Sequence, residues 1–294
     1  MTSYLVSVAS FAVIYGLLAV GLSVQWGMAG LVNFGQVAFF AIGAYVYAIA
    51  TSAGWHPVTA MAAAVIVAGL MGAGVAGTTL RLRRDFLALV TLGFGEVVRL
   101  FVTNEAWLTG GASGLPGVPR LFPASPGPWG DLPYLLFIVG LSAVVLVIVR
   151  MIQVSPFGRV LSVIREDETV ATFLGRNVFK FKIQAFAIGA GIGGLAGCLF
   201  VQYISLAVPE QFLPVVTIYA WIAVMLGGQK NPPGAFIGAG CMMLLLETTR
   251  FAKDYVPWIQ SEQLAAGRIV LVGVLLILLV KCFPNGVFVP KEKN

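Results

Sequence analysis

Glu96 and Arg99 stand three residues apart inside an apolar run from Phe86 to Val102. On a helix that spacing puts both side chains on one face, within reach of an ion pair. If the run crosses a bilayer, such charges are costly and turn toward the bundle interior or a cavity. Two readings follow: a structural ion pair, or a polar element of a path or gate through the membrane. Acid–base catalysis fits poorly, because no nucleophile or metal set accompanies the pair. A second polar set, Asn33 and Gln36, lies in an apolar run punctuated by Gly27, Gly30 and Gly35. Such glycines can unwind a helix and free backbone groups for a solute's ammonium and carboxylate. The competing reading is hydrogen bonding between helices.

The third chemistry-bearing stretch is charged and lies between apolar runs, from Arg150 to Lys182. Pro156 and Gly158 break the chain at its start. Val160, Leu161, Ile164, Ala171 and Leu174 then recur near helical spacing. Glu166, Asp167 and Glu168 precede Thr169–Leu174, where the positive end of a short helix favours carboxylates. Gly175 is placed to stop that helix. The segment therefore reads as a short amphipathic helix pair. It either lies on the membrane surface, held by its arginines, or docks in a partner's groove.

The elements that must carry these residues follow from composition. Hydrophobic residues make up 59% of the 294 and charged residues 10%, and mean hydropathy is +0.94. Soluble chains are roughly 45–50% apolar and about 25% charged, so this chain cannot coat a water-facing surface. The runs predict an all-α, polytopic transmembrane helical bundle of about 8–9 segments at ~20 apolar residues each. They fall at 5–24, 31–53, 58–80, 86–102, 132–149, 183–206, 212–226, 235–246 and 269–280. The seventh and eighth are short, which suits re-entrant or broken helices. Net charge is +6. The cations cluster at Arg81–Arg84, at 150–182 and at Lys230, Lys281, Lys291 and Lys293. With nine spans all of these share one side with the C-terminus, and the N-terminus lies outside. That explains the charge better than nucleic acid does. Cys198, Cys241 and Cys282 lie in or beside apolar stretches without paired spacing and read as small buried residues. A single histidine, His56, leaves little for metal chemistry. Glycines at 189, 193 and 197, and at 234 and 238, have the spacing that lets helices approach closely.

Four stretches together resemble a known family. They are Gly27–Tyr45, Phe86–Arg99 with Leu108–Gly111, Gly158–Lys182, and Pro209–Phe212 with Met225–Gly228. The chain resembles the M-type permease subunits of branched-chain amino acid ABC importers, in the family's order over most of its length. It departs from the usual pattern at Ala112-Ser113 and at Gln229–Pro233. The resemblance implies a single permease domain, 1–294, with a cytoplasmic coupling loop at about 155–180 that docks on an ATPase. Arg159, Arg165, Glu166, Asp167, Glu168, Ala171, Leu174 and Gly175 are the candidates for that coupling. Asn33, Gly35, Gln36, Glu96 and Arg99 are the candidates for a translocation path or gate. The implied partners are a second homologous permease, two ATP-binding cassette ATPase subunits, a soluble substrate-binding protein and membrane lipids. The implied location is the bacterial inner membrane. No Gly-x-x-x-x-Gly-Lys-Ser/Thr phosphate loop occurs. The chain is thus expected to be no enzyme and to need no cofactor, with ATP used by partner subunits. Relatives that carry urea or short amides leave that substrate class open. An ion-coupled secondary transporter is the rival from another class. It needs acidic coupling sites in the spans, and Glu96 is the one clear intramembrane acid in the sequence.

Overall fold

The structure is a computed structural model that describes residues 2–80, 84–122 and 130–255, with isolated helical positions at 267, 270, 273, 274, 277, 278 and 281. The expected ninth segment, 269–280, and the ends of the basic clusters at Arg81, Arg83, Lys291 and Lys293 lie largely outside those residues. Among the described residues, eleven α-helices follow in order. They are α1 (Thr2–Leu22), α2 (Gln36–Ser52), α3 (Pro57–Thr79), α4 (Arg84–Asn104), α5 (Ala106–Thr109), α6 (Leu132–Val154), α7 (Pro156–Glu166), α8 (Glu168–Phe173), α9 (Val178–Ile204), α10 (Val215–Gly227) and α11 (Pro232–Tyr255). Local chemistry sets their starts. The His56 ring accepts from the Val58 amide ahead of α3. Ser155 caps α7 with Pro156 in the first turn. The Asn177 side chain accepts from Lys180 at the head of α9. Each offers an oxygen or nitrogen to an otherwise unpaired first-turn amide.

Among the described residues, five helices are long and apolar enough to cross a membrane: Tyr4–Met28, Pro57–Thr79, Phe86–Asn104, Leu132–Val154 and Val178–Ile204. Three more are apolar but shorter: Gln36–Ser52, Val215–Gly227 and Pro232–Leu246. The chain is thus a polytopic all-α bundle. The clearest helix break sits earlier than the short seventh and eighth runs suggested. It follows α1, where a π-helical turn (Ser23–Met28) gives way to irregular chain before α2.

α9 forms the axis of the core, with α1, α2 and α3 packed around it. Its glycine row makes this possible. A Cβ at Gly197 would fall 1.8 Å from the Phe40 carbonyl oxygen of α2, so only glycine allows the two backbones to meet. Gly238 plays the same part between α11 and α10, where a Cβ would fall 2.2 Å from the Ala223 oxygen. Outward, α6 exposes Leu136, Val139, Val144, Val147, Ile148, Met151 and Val154, with Arg150 among them near its end. Such a face suits lipid chains.

The connections gather at two ends. The 29–35 break, the α6–α9 loop and the α10–α11 turn meet at one, joined by Arg165 to Gly27 and Gln229. The 110–120 loop and the segment after α9 meet at the other. There β1 (Leu115–Pro116) pairs antiparallel with β2 (Leu206–Ala207), Leu115 opposite Ala207. Arg120 bonds Asp131 at 2.7 Å and also reaches the Tyr203 carbonyl. From sequence alone, the small, glycine-rich stretch at 109–114 is a flexible loop that either contacts a binding protein or serves as a plain connector. Instead it is folded: Thr109 closes onto the Val102 carbonyl at 2.6 Å, and Gly110, Gly111 and Gly114 take positive φ.

Candidate functional site

The residues singled out from sequence fall into three places. The first is a buried knot. Asn33, Gln36 and also Gln25 are fully buried. The Asn33 amide donates to Gln25 Oε1 at 2.7 Å and to Gln36 Oε1 at 2.9 Å. Gln25 and Gln36 in turn donate to the α9 carbonyls of Phe186 and Gly189 at 3.0 and 3.1 Å. The unwound backbone is also occupied. The Gly35 amide goes to Asn33 Oδ1, Phe34 to Thr91, and Val37 to Thr217. The Asn33 carbonyl accepts from Trp221 Nε1 at 3.0 Å. The break expected from Gly27, Gly30 and Gly35 is present, and the amides of Phe34, Gly35 and Val37 and the Asn33 carbonyl find their partners within the chain. A buried amide left without a partner would cost about 1–3 kcal/mol, which accounts for the closure of the knot. Gln25, Thr91, Thr217 and Trp221 were missed from sequence. A polar residue beside a Trp-Gly pair in an apolar run was the available signal for Gln25.

The second place is α4. Arg99 Nε lies 3.1 and 3.0 Å from the two Glu96 carboxylate oxygens, and a second guanidinium nitrogen also bonds Oε1. The pair is far from Asn33 and Gln36 in setting, because it sits on the outside of the chain. The Glu96 side chain is 41% exposed and that of Arg99 26%. Phe86, Leu89, Leu92, Val97, Leu100 and Phe101 share the outward side. Glu96 lies ten residues past Phe86, about 15 Å along the helix and so near mid-bilayer depth. An ion pair open to lipid at that depth is costly, and such charges usually face protein or a water-filled cavity.

The third place is the 155–177 loop, a helix pair as the spacing indicated. Asp167 separates the helices and caps α8, accepting from the Thr169 amide at 2.7 Å. The amide and then the hydroxyl of Thr169 hold its carboxyl below the usual carboxylate range. Gly175 ends α8 at φ +72°. Leu161, Ile164 and Ala171 face inward. The expected coupling residues then divide. Arg159, Ala171 and Leu174 line a single groove of about 640 Å³ together with Phe157, Val160, Val163, Arg176, Lys180 and Phe181. Its charged lining is cationic only. Phe173, missed from sequence, projects beside it at 86% exposure. Glu168 is bridged to Lys182 at 2.6 Å, and Glu166 meets Lys230 at 3.5 Å. Arg165 turns inward, and its burial lowers its pKa.

Residues 4–280 match the family described as "Branched-chain amino acid transport system / permease component". The chain belongs to that family. This permease is 31% identical to the high-affinity branched-chain amino acid transport system permease protein LivM of Escherichia coli K12, over 96% of its own length and 69% of the relative's. It is 25% identical to the probable branched-chain amino acid transport permease protein LivM of Methanocaldococcus jannaschii, over 95% and 91%. LivH of Escherichia coli K12, the high-affinity system's permease of that name, is 26% identical over 93% and 90%. No solved structure matches the permease. The family is one of transport permeases, and the helices place this member in a membrane as a multi-pass protein.

Proposed function

We propose that the permease moves branched-chain or other small apolar amino acids inward through a bacterial inner membrane, driven by ATP that partner subunits bind and hydrolyse. The observation that carries this reading is the family match across nearly the whole chain, with relatives named for that substrate class. In it the chain is one permease domain, 1–294. It pairs with a second, homologous permease, two ATPase subunits and a soluble binding protein. The occurrence of both LivM and LivH among its relatives favours a paired arrangement.

The surface offered to the ATPase is α8 and the groove beside it. Val170, Phe173 and Leu174 are exposed there, and Arg159, Arg176 and Lys180 supply positive charge. The acidic trio serves inside the chain: Asp167 as a cap, Glu166 and Glu168 as partners of lysines. The path or gate reading of Glu96 and Arg99 is supported by their exposure at mid-span. Asn33, Gly35 and Gln36 shape the path from behind, through the break they hold closed. Among the described residues, the connections after α1, α6 and α10 lie at one end of the bundle and those after α4 and α9 at the other. That supports a count of nine crossings, with 269–280 as the last and the N-terminus outside.

The test is co-expression with the partner genes, purification, and reconstitution into vesicles. ATPase subunits should co-purify with the native chain and be lost with Phe173→Asp/Leu174→Asp, and leucine uptake should require ATP. Uptake without ATP by the chain alone would sink the reading in favour of ion coupling. ATP-driven uptake of urea or acetamide in place of leucine would move the substrate class.

A further inference from the structure

We propose that Arg165 is a positioning residue that transmits movement of the cytoplasmic helix pair to the helix break between α1 and α2, instead of a contact to the ATPase. The inference rests on the reading that α7 and α8 receive ATPase motion. Arg165 is the penultimate residue of α7. Its guanidinium donates to the Gly27 carbonyl, in the π-helical turn, and to Gln229 Oε1 at 2.7 Å, in the turn between α10 and α11. One side chain thus ties three elements that are distant in sequence. A guanidinium suits this, because its donors are fixed in a planar fork.

Both acceptors are neutral. Its neighbour Glu166 is directed to Lys230. Glu166 lends Arg165 its nearby charge, while the hydrogen bonds of the guanidinium go to groups of two separate elements.

The backbone around Arg165 is shaped to admit it. A Cβ at Gly27 would lie 1.9 Å from the Gln229 carbonyl oxygen. Gly30 sits at φ +70°, and a Cβ there would lie 3.1 Å from Arg165 Cγ. The α10–α11 turn is also held from α6, where Gln153 donates to the Lys230 carbonyl at 2.8 Å.

From Gly27 the line runs inward without a gap. Trp26 packs on Trp221 with ring centroids 4.3 Å apart, and Trp221 donates to the Asn33 carbonyl. Gln25, one residue further, holds both Asn33 and α9. A displacement of α7 through Arg165 therefore pulls on the peptide next to the knot. Adjacency alone does not demonstrate coupling, so the test must read coupling directly.

Arg165→Ala, Arg165→Lys and Gln229→Ala would be made in the assembled transporter, with its ATPase subunits, second permease and binding protein, in vesicles. ATPase recovery, ATP hydrolysis and leucine uptake would be measured together. Arg165→Ala should retain its ATPase subunits and hydrolysis and lose tenfold or more of the leucine moved per ATP. Arg165→Lys, a point donor that cannot bridge both acceptors, should fall between. Gln229→Ala should uncouple several-fold with Arg165 intact. If recovery of ATPase and uptake fall in parallel, Arg165 is a docking residue and the inference is overturned. Unchanged leucine per ATP also overturns it, and if Arg165→Ala fails to assemble, the other two variants decide on the same ratio. A native complex without ATPase, or with uptake independent of ATP, instead refutes the importer reading itself.

Discussion

Two polar clusters occupy the membrane zone of this permease, and they are treated in opposite ways. Around Asn33, the side-chain amides of Gln25, Asn33 and Gln36 find partners within the chain, and none is exposed. On α4, Glu96 and Arg99 satisfy each other and remain partly open on the outside. Lipid imposes the same demand on both, since unsatisfied polar groups cost several kcal/mol there. The first cluster meets it by folding. The second meets it only when something covers α4. The first is therefore a feature of the isolated chain, the second a feature of the working assembly.

Breaking the knot should have the largest effect. Asn33→Ala removes the donor to two glutamine oxygens and the acceptor of the Gly35 amide, at ~1–3 kcal/mol for each group orphaned. The expected outcome is a marked drop in the melting temperature of the purified permease in detergent. An unchanged melt would show that the knot does not hold the break. Glu96→Ala should do the reverse. Melting should stay close to native while leucine uptake at equal expression falls about tenfold, or ~1.4 kcal/mol. Native uptake would reduce the pair to a structural one.

A milder contrast comes from labelling. Gly93 on α4 and Gly140 on α6 both have open space where a Cβ would be. With Cys198, Cys241 and Cys282 replaced, Gly93→Cys in the assembled transporter should react several-fold faster than Gly140→Cys with a polar maleimide. Equal rates would mean that α4 faces lipid as α6 does. The smallest effect is expected at Asp167. Its carboxyl is held below the usual range, so the cap is intact above the ordinary carboxylate pKa and is lost only as pH falls through the lowered one. Asp167→Ala should speed hydrogen exchange at 168–174 at neutral pH and leave the knot untouched. Native protection of those amides would show that α8 does not depend on its cap.

Much of this contrast was legible in the sequence, and the reason is locality. Gly27, Gly30 and Gly35 announce a break wherever they fall. Asp167 and Gly175 bracket α8 through cap chemistry that spans a few residues. Glu96 and Arg99 pair on their own helix. The partners that close the knot are not local. Thr91 and Thr217 reach Phe34 and Val37 across 57 and 180 residues, and nothing near position 33 foretells them. The same holds for Arg165, whose acceptors lie 138 and 64 residues away, and for Glu168, whose lysine sits on α9. The order at 109–114 escaped because small residues there serve folded turns instead of slack.

The glycine row of α9 carries a mechanical consequence. Backbones that meet with no side chain between them have no rotamer to yield, so a push at the contact passes straight to the main chain. α2 and α9 meet in this way at Gly197, so a shift of one is passed to the other without slack. A passage that opened and shut between other helices would have this contact as its frame.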